Sequence, residues 1–245
     1  MGRFFKPEYN RRTMPLPLTE TPSDALIDAT RARIAEIGRL LFARQLTDAA
    51  GGNISVRIGN RVCITPRYAG QQRQWQIDPG DVLVADLDRN VLRGAGKLSR
   101  ETHVHFTLLT RFHAHGTAVV HAHPRNLLVY AFLRQPMPPA LEAMRKFGVT
   151  PVTPFAPAHS ATLAEHVATT MIGREAMIAK HAAAAIAPWH GIFCIGKDLS
   201  AAFDAVERMD NNAYLLLMAQ QHAGTAAIDQ ALADMERTIA AHDAE

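Results

Sequence analysis

Ala118-Val119-Val120-His121-Ala122-His123-Pro124 is an apolar run that ends in His-x-His. In an extended strand, residues i and i+2 project from one face, so His121 and His123 aim two imidazoles at one point. Two readings fit the pair: a strand offering two metal ligands, or surface histidines in a chain that holds 12 of them. The run also predicts a buried strand. Working outward, Gly116 precedes it, and a helix is expected from about Ser99 to Phe112 with Val104, Leu108, Leu109 and Phe112 as its apolar stripe.

Further upstream, Ile54-Ser55-Val56-Arg57-Ile58 alternates apolar with polar, Gly59-Asn60 marks a turn, and Arg61-Val62-Cys63-Ile64-Thr65 resumes as the second arm of a hairpin. Asp78-Pro79-Gly80-Asp81 reads as a turn before the strand Val82 to Asp86. Ser23 is a suitable N-cap for a helix carrying Leu26, Ile27, Ile34, Ile37, Leu40 and Leu41 at helical spacing, which should stop before Gly51-Gly52. Later helices are expected near 124–133, 160–172, 198–221 and 226–241, and strands at Val149 to Thr153 and Gly191 to Gly196. Ala182 to Ala185 reads as a low-complexity alanine tract. Strands and helices in this order, with few βαβ units, predict an α/β domain of three layers, α/β/α, around a mixed, mainly antiparallel sheet. Residues 1–22, with Pro7, Pro15, Pro17 and Pro22, are expected to form an extended basic arm, and 23–245 the domain.

Composition narrows the function. The chain has 245 residues, 48% of them hydrophobic, enough for one large domain with a buried core. Residues 1–17 hold four basic residues and one acidic, which leaves 22 of the 26 basic and 22 of the 23 acidic residues in the body. That balance does not call for a nucleic-acid partner. Cys63 and Cys194 alone cannot make a disulfide framework or a four-cysteine metal site, which fits a reducing compartment, so any metal must rest on histidines and carboxylates. No apolar run approaches a membrane span, Phe4-Phe5 is too short for a signal-peptide core, and Lys6 stands where myristoylation prefers Ser or Thr; a cytoplasmic protein with no membrane partner is expected.

A catalytic zinc usually takes three protein ligands and keeps one position open. His190, in Pro188-Trp189-His190-Gly191, is the best third candidate, with an ordinary turn histidine as the alternative. Histidines 159, 166, 181, 222 and 242 read as surface or packing residues. Glu101 stands just after Ser99: the two together read as a helix cap and its dipole partner, or Glu101 reads as an acid/base residue beside the metal. Ala50-Gly51-Gly52-Asn53-Ile54-Ser55 fits either an anion-cradling loop or an ordinary hairpin entry.

These segments stand in the order of the class II aldolase/adducin family, which the chain resembles from about residue 24 to 222. The matching pieces are Gly52-Asn53-Ile54-Ser55-Val56-Arg57, Ile64-Thr65-Pro66, Lys97-Leu98-Ser99-Arg100-Glu101 with His105, the His121/His123 run, His190-Gly191, and Gly196-Lys197-Asp198-Leu199. The resemblance implies a homotetramer with active sites between subunits. It implies a divalent metal on His121, His123 and His190, commonly zinc, with manganese, cobalt, magnesium or iron compatible, and Glu101 as the acid/base residue. It also implies substrate-binding roles for Gly52, Asn53, Thr65 and Ser99.

Two positions depart from the family pattern: Arg67 replaces the serine of Thr-Pro-Ser-Gly, and Arg100 replaces the second serine of Pro-Ser-Ser-Glu. Either arginine then binds substrate or faces solvent. No tyrosine follows Tyr130 until Tyr214, so none matches the tyrosine that some family aldolases lend to a neighbouring subunit. The implied activity is that of a lyase of carbohydrate metabolism, cleaving a carbon–carbon bond of a hydroxylated carbonyl substrate through a metal-stabilised enediolate. A sugar phosphate is the first substrate class. Decarboxylation of a hydroxy or keto acid is the alternative, and an adducin-like interaction module the third. Epimerisation and dehydration also occur in the family.

Overall fold

In a computed structural model, residues 17 and 19–242 are described. Most of the expected 1–22 arm lies outside them. Its described end is held: Asn60 donates its backbone N–H to Glu20 O at 3.0 Å and its side-chain amide to Thr21 Oγ1 at 3.0 Å.

Among the described residues, seven strands form one sheet: β1 (Asn53–Ile58), β2 (Arg61–Ile64), β3 (Leu83–Asp86), β4 (Val91–Arg93), β5 (Ala118–Ala122), β6 (Ala182–Ala187) and β7 (Gly191–Gly196). Their order is β4-β3-β2-β1-β5-β7-β6. Every pairing between these strands is antiparallel, so the expected mixed sheet is corrected. The one parallel pairing among the described residues is an isolated bridge from Val152 to Ile186.

Among the described residues, eight α-helices accompany the sheet: α1 (Asp24–Ala43), α2 (Ala69–Arg73), α3 (Thr102–Arg111), α4 (Leu127–Leu133), α5 (Ala161–Thr170), α6 (Glu175–Lys180), α7 (Leu199–Ala223) and α8 (Thr225–His242). Ser23 does cap α1, accepting the N–H of Leu26. Side chains from α1, α4 and α7 close one core against the sheet, with Ile34, Ile37, Val120, Val206 and Met209 inside it. Those of α3 and α5 close the other, around Leu108, Val119, Val167, Phe193 and Ile195. These are the three layers. Among the described residues, no helix is long and apolar enough to cross a membrane.

Because β1 is buried on both faces, its polar residues need internal partners. Arg57 finds them in backbone carbonyls, donating to Gly59 O at 3.0 Å and Leu109 O at 2.8 Å, and burial lowers its pKa. The expected 149–153 strand is replaced by two bridges, Thr150 with Met137 and Val152 with Ile186. Pro151 and Pro154 remove the donors a continuous ladder requires. The segment instead covers the outer edge of β6, where Ile186 donates to Pro151 O and Thr153 donates to Ile186 O. The alanine tract is that strand: buried on both faces, its methyl side chains let helices approach from each side, which alanine's modest β-propensity does not reveal.

The sheet register builds one end of the molecule. Asn53 pairs with His121 across β1 and β5, and His121 with Phe193 across β5 and β7. The start of β1, the end of β5 and the start of β7 therefore converge. The chain leaves that convergence through Pro124 into α4, whose first turn is fastened by Asp210 of α7. The Asp210 carboxylate accepts Asn126 N at 2.9 Å, Leu127 N at 3.1 Å and Asn126 Nδ2 at 2.8 Å. Hydrogen bonds to a buried charge are worth about 1.5–3 kcal/mol. Replacing Asp210 with Ala is expected to lower unfolding free energy by about 2–3 kcal/mol in urea titration; a change within about 0.5 kcal/mol would show that α4 does not depend on this anchor.

Candidate active site

Three imidazoles meet where the three strands converge. The candidate ligand atoms of His121, His123 and His190 lie within 4.8 Å of one another. His121 is fully enclosed, its ring stacked on Phe193 at 4.1 Å between centroids, and its Nδ1 donates to Ile192 O at 2.9 Å. That bond places the ring proton on Nδ1 and leaves Nε2 as a bare lone pair. His123 turns Nδ1 toward Asp48 Oδ1 at 3.5 Å, so its Nε2 also faces inward, 3.2 Å from Nε2 of His121. With the His123 proton on Nε2 the two nitrogens hydrogen-bond; with it on Nδ1, facing Asp48, both offer lone pairs to a cation. Burial lowers the pKa of all three rings, that of His190 to about 4, which keeps them in the neutral, ligating form. The donor set thus fits a divalent metal with nitrogen ligands.

Room for His123 is made by two glycines. A Cβ on Gly51 would lie 2.0 Å from His123 Cε1, and one on Gly191 would lie 2.7 Å from its Cδ2 and 2.5 Å from Ala122 O. The Gly51 loop is shaped by Asp48, whose Oδ1 accepts the N–H groups of Ala50 and Gly51 at 2.9 and 3.1 Å. Gly52, with φ +95°, follows.

Glu101 closes the site. It is 3% exposed, and its Oε1 is 3.5 Å from His190 Nε2 and 2.8 Å from His159 Nδ1. Burial pushes the carboxyl up to about 7, against the opposing pull of a hydrogen bond from the His159 backbone and of the Arg100 charge. A group in that range both takes and gives protons near neutral pH. The helix starts later than Ser99 suggests: Glu101 occupies the cap position of α3, and Ser99 Oγ accepts the Glu101 N–H at 3.2 Å from the turn before it.

A buried polar chain stands behind this turn. His105 Nε2 meets Asn53 Oδ1 at 2.5 Å, and His105 Nδ1 meets Ser55 Oγ at 2.6 Å. The Asn53 carbonyl only accepts, so Nε2 carries the proton and Nδ1 accepts from the Ser55 hydroxyl. Asn53 Nδ2 then donates to Ser99 Oγ at 2.8 Å. With two donors already on its oxygen, the Ser99 hydroxyl keeps its own hydrogen free to donate toward the cleft.

Of the residues singled out in the sequence, Gly52, Asn53, Arg67, Ser99, Arg100, Glu101, His121, His123 and His190 line one cleft. Thr65 does not; it is buried, and its hydroxyl accepts the Ile54 N–H at 3.1 Å. Arg67 is half-buried with Nε on Leu98 O at 3.1 Å, and Arg100 is exposed at the rim. His159, expected at the surface or in packing, is instead a neighbour of Glu101. No local pattern in Pro157-Ala158-His159-Ser160 signals that contact, because it spans 58 residues of chain. Asp48 was equally missed, although an acid three residues ahead of Gly51-Gly52 is a recognisable turn former.

A family model, Class II Aldolase and Adducin N-terminal domain, matches residues 32–217. The chain is 28% identical over 184 residues to an L-fuculose phosphate aldolase of Methanococcus maripaludis, covering 74% of this chain and 92% of that protein. It is 26% identical over 215 residues to a 3-oxo-tetronate 4-phosphate decarboxylase of Haemophilus influenzae, covering 85% of this chain and 96% of that one. The fold matches a solved L-fuculose 1-phosphate aldolase with a TM-score of 0.70 at 23% identity, over 88% of this chain and 98% of the other.

The polar chain carries a pH signature. Burial holds His105 down at about 3, whereas an imidazole in the unfolded chain titrates near 6.5. Between those values the unfolded state binds a proton that the folded state refuses. The stability is therefore full above about 6.5 and is lost as pH falls toward about 3. From pH 7 to pH 5, the native protein should lose roughly 2 kcal/mol more than His105→Gln in urea unfolding; superimposable pH dependences would contradict a neutral buried ring.

Proposed function

Since this chain belongs to the class II aldolase and adducin family, we propose that it is a metal-dependent lyase that cleaves a carbon–carbon bond of a phosphorylated ketose, releasing an aldehyde. One observation carries the reading: three neutral imidazoles converge beside Glu101, a buried carboxyl whose Oε1 lies 3.5 Å from His190 Nε2. His121, His123 and His190 are the residues to hold the metal, zinc first among the divalent ions. When bound, the ion supplies Lewis-acid stabilisation of negative charge that develops on substrate oxygens.

The remaining work belongs to the chain. Glu101 is the residue to move the proton at the carbon where the bond breaks, and its pKa of about 7 suits both directions of transfer. Ser99, with its free hydroxyl hydrogen, and Gly52 and Asn53 at the mouth of the loop are assigned to the substrate phosphate. Arg67 and Arg100 border the same cleft and add charge to that end of the substrate. Thr65 contributes by holding the start of β1 in place. A homotetramer with sites between subunits belongs to the same reading, supported by Phe155 and Trp189, an exposed aromatic pair 5.2 Å apart next to His190.

A second reading, loss of carbon dioxide from a phosphorylated keto acid, is favoured by the likeness to the decarboxylase relative. The protein screened against ketose phosphates and phosphorylated keto acids, with aldehyde and carbon dioxide scored separately, tests both. Aldehyde from a ketose phosphate is the expected product; carbon dioxide alone would replace the aldolase reading with the decarboxylase one.

Two variants probe the roles. Glu101→Gln is expected to lower turnover by about 10²- to 10⁴-fold while metal content stays at wild-type level; unimpaired turnover would reduce Glu101 to a helix-cap residue. In His123→Ala, metal measured by plasma emission should fall to a small fraction of wild type while the circular dichroism of the fold persists, because an open catalytic site contributes less to folding than a closed structural one. Full occupancy in that variant would remove His123 from the ligand set.

A further inference from the structure

Next to the candidate active site, a second and more open cleft runs between the β3–β4 turn and the loop ahead of α3. The two share a wall made by Arg67, Ser99, Arg100 and His159. The far side adds Arg89, Lys97 and His103. Four fixed positive charges, on Arg67, Arg89, Lys97 and Arg100, thus line a cleft that no carboxylate lines. Among the described residues, none of the four has an acidic oxygen within 4.0 Å. Other surface arginines have partners: Arg73 pairs with Asp81, Arg93 with Asp24 and Asp28, Arg111 with Glu165, while Arg125 donates to Gln45 and Arg134 lies over Trp189. Gathering unpaired like charges raises the free energy of the folded state, and bound anionic oxygens offset it.

The cations are also oriented. Arg67 is fixed through Nε on Leu98 O, which leaves its terminal amino groups as donors. Arg89 has a left-handed backbone, φ 71°, in a turn whose Asp86 carboxylate accepts the N–H groups of Asp88 and Asn90. Its Nη1 donates to His103 Nδ1 at 3.0 Å, so the proton of that ring resides on Nε2, a further donor on the same wall. A phosphate monoester brings about −1.5 to −2 charges, fewer than the four cations present.

We infer that this cleft is an anion subsite for the distal end of the substrate, and that the substrate carries a second anionic group, a carboxylate or another phosphate, besides the phosphate assigned to Gly52, Asn53 and Ser99. The inference rests on the proposed lyase site for where the reacting end lies. An anion held by guanidinium forks is stabilised as it stands, so the group bound here is retained through the reaction rather than released.

Calorimetric titration of the zinc-loaded full chain with three non-reacting three-carbon probes tests this without turnover. Glycerol 3-phosphate carries one phosphate, 3-phosphoglycerate a phosphate and a carboxylate, and propane-1,3-diol bisphosphate two phosphates. At least one two-anion probe is expected to bind about 10-fold or more tightly than glycerol 3-phosphate; whichever gains identifies the second group. In the Arg89→Gln, Lys97→Gln double variant that gain should vanish, with glycerol 3-phosphate affinity changed less than about threefold. Equal affinities for all three probes would overturn the subsite. A gain that survives in the double variant would come from the metal and would overturn it too. Lyase activity enters neither outcome, so a flat series leaves the lyase reading standing, and an inactive enzyme leaves the series interpretable.

Discussion

Nε2 of His121 and Nε2 of His123 face each other at 3.2 Å, and much of this end of the molecule is arranged to keep them there. His121 is committed by its bond to Ile192 O and by stacking on Phe193, so its lone pair has one direction to point. His123 is pressed between Gly51 and Gly191, where no side chain larger than hydrogen fits without displacement. Antiparallel register supplies the rest: β5 runs between β1 and β7, so Asn53, His121 and Phe193 stand in one row and His190 arrives at the head of β7. The two nitrogens are placed to share one cation, and the same enclosure that keeps the rings neutral raises the pKa of Glu101 beside them.

Burial is also what makes the polar chain behind the site matter. The hydrogen bonds from Ser55 through His105 and Asn53 to Ser99 assign each donor and acceptor, and they end on the turn that presents Glu101. His105 is fully enclosed and reaches the cleft through its hydrogen bond to Asn53, which in turn donates to Ser99. Its work is to fix the amide and hydroxyl that face the cleft. The cationic groove beyond Arg67 and Arg100 continues from the same turn, so one loop presents the buried acid to one side and the exposed charges to the other.

The parts of this site governed by short-range periodicity were legible in the sequence. The i, i+2 spacing of His121 and His123, the Ser23 cap and the hairpin from Ile54 to Thr65 all follow from local geometry. Glu101 and His190 were legible only as candidates with ordinary structural alternatives, because position after a presumed cap or before a glycine does not by itself specify chemistry. His159 and Asp48 depended on contacts across 58 and 75 residues of chain, which no local pattern encodes. The β6 strand was hidden by its own composition: alanines carry little strand signal, and only the helices packed on both faces make the small side chains an advantage. Ser99 lies two residues ahead of the true cap position, since a serine that accepts the N–H two residues on forms a turn before the helix rather than its cap.

The central claim is that three neutral imidazoles from one end of the sheet hold a single catalytic metal. X-ray absorption at the zinc edge of the loaded protein addresses it most directly. The account predicts three imidazole nitrogens at about 2.0–2.1 Å, with the remaining coordination made by oxygen. A sulfur shell near 2.3 Å, or fewer than three imidazoles around the ion, would contradict it.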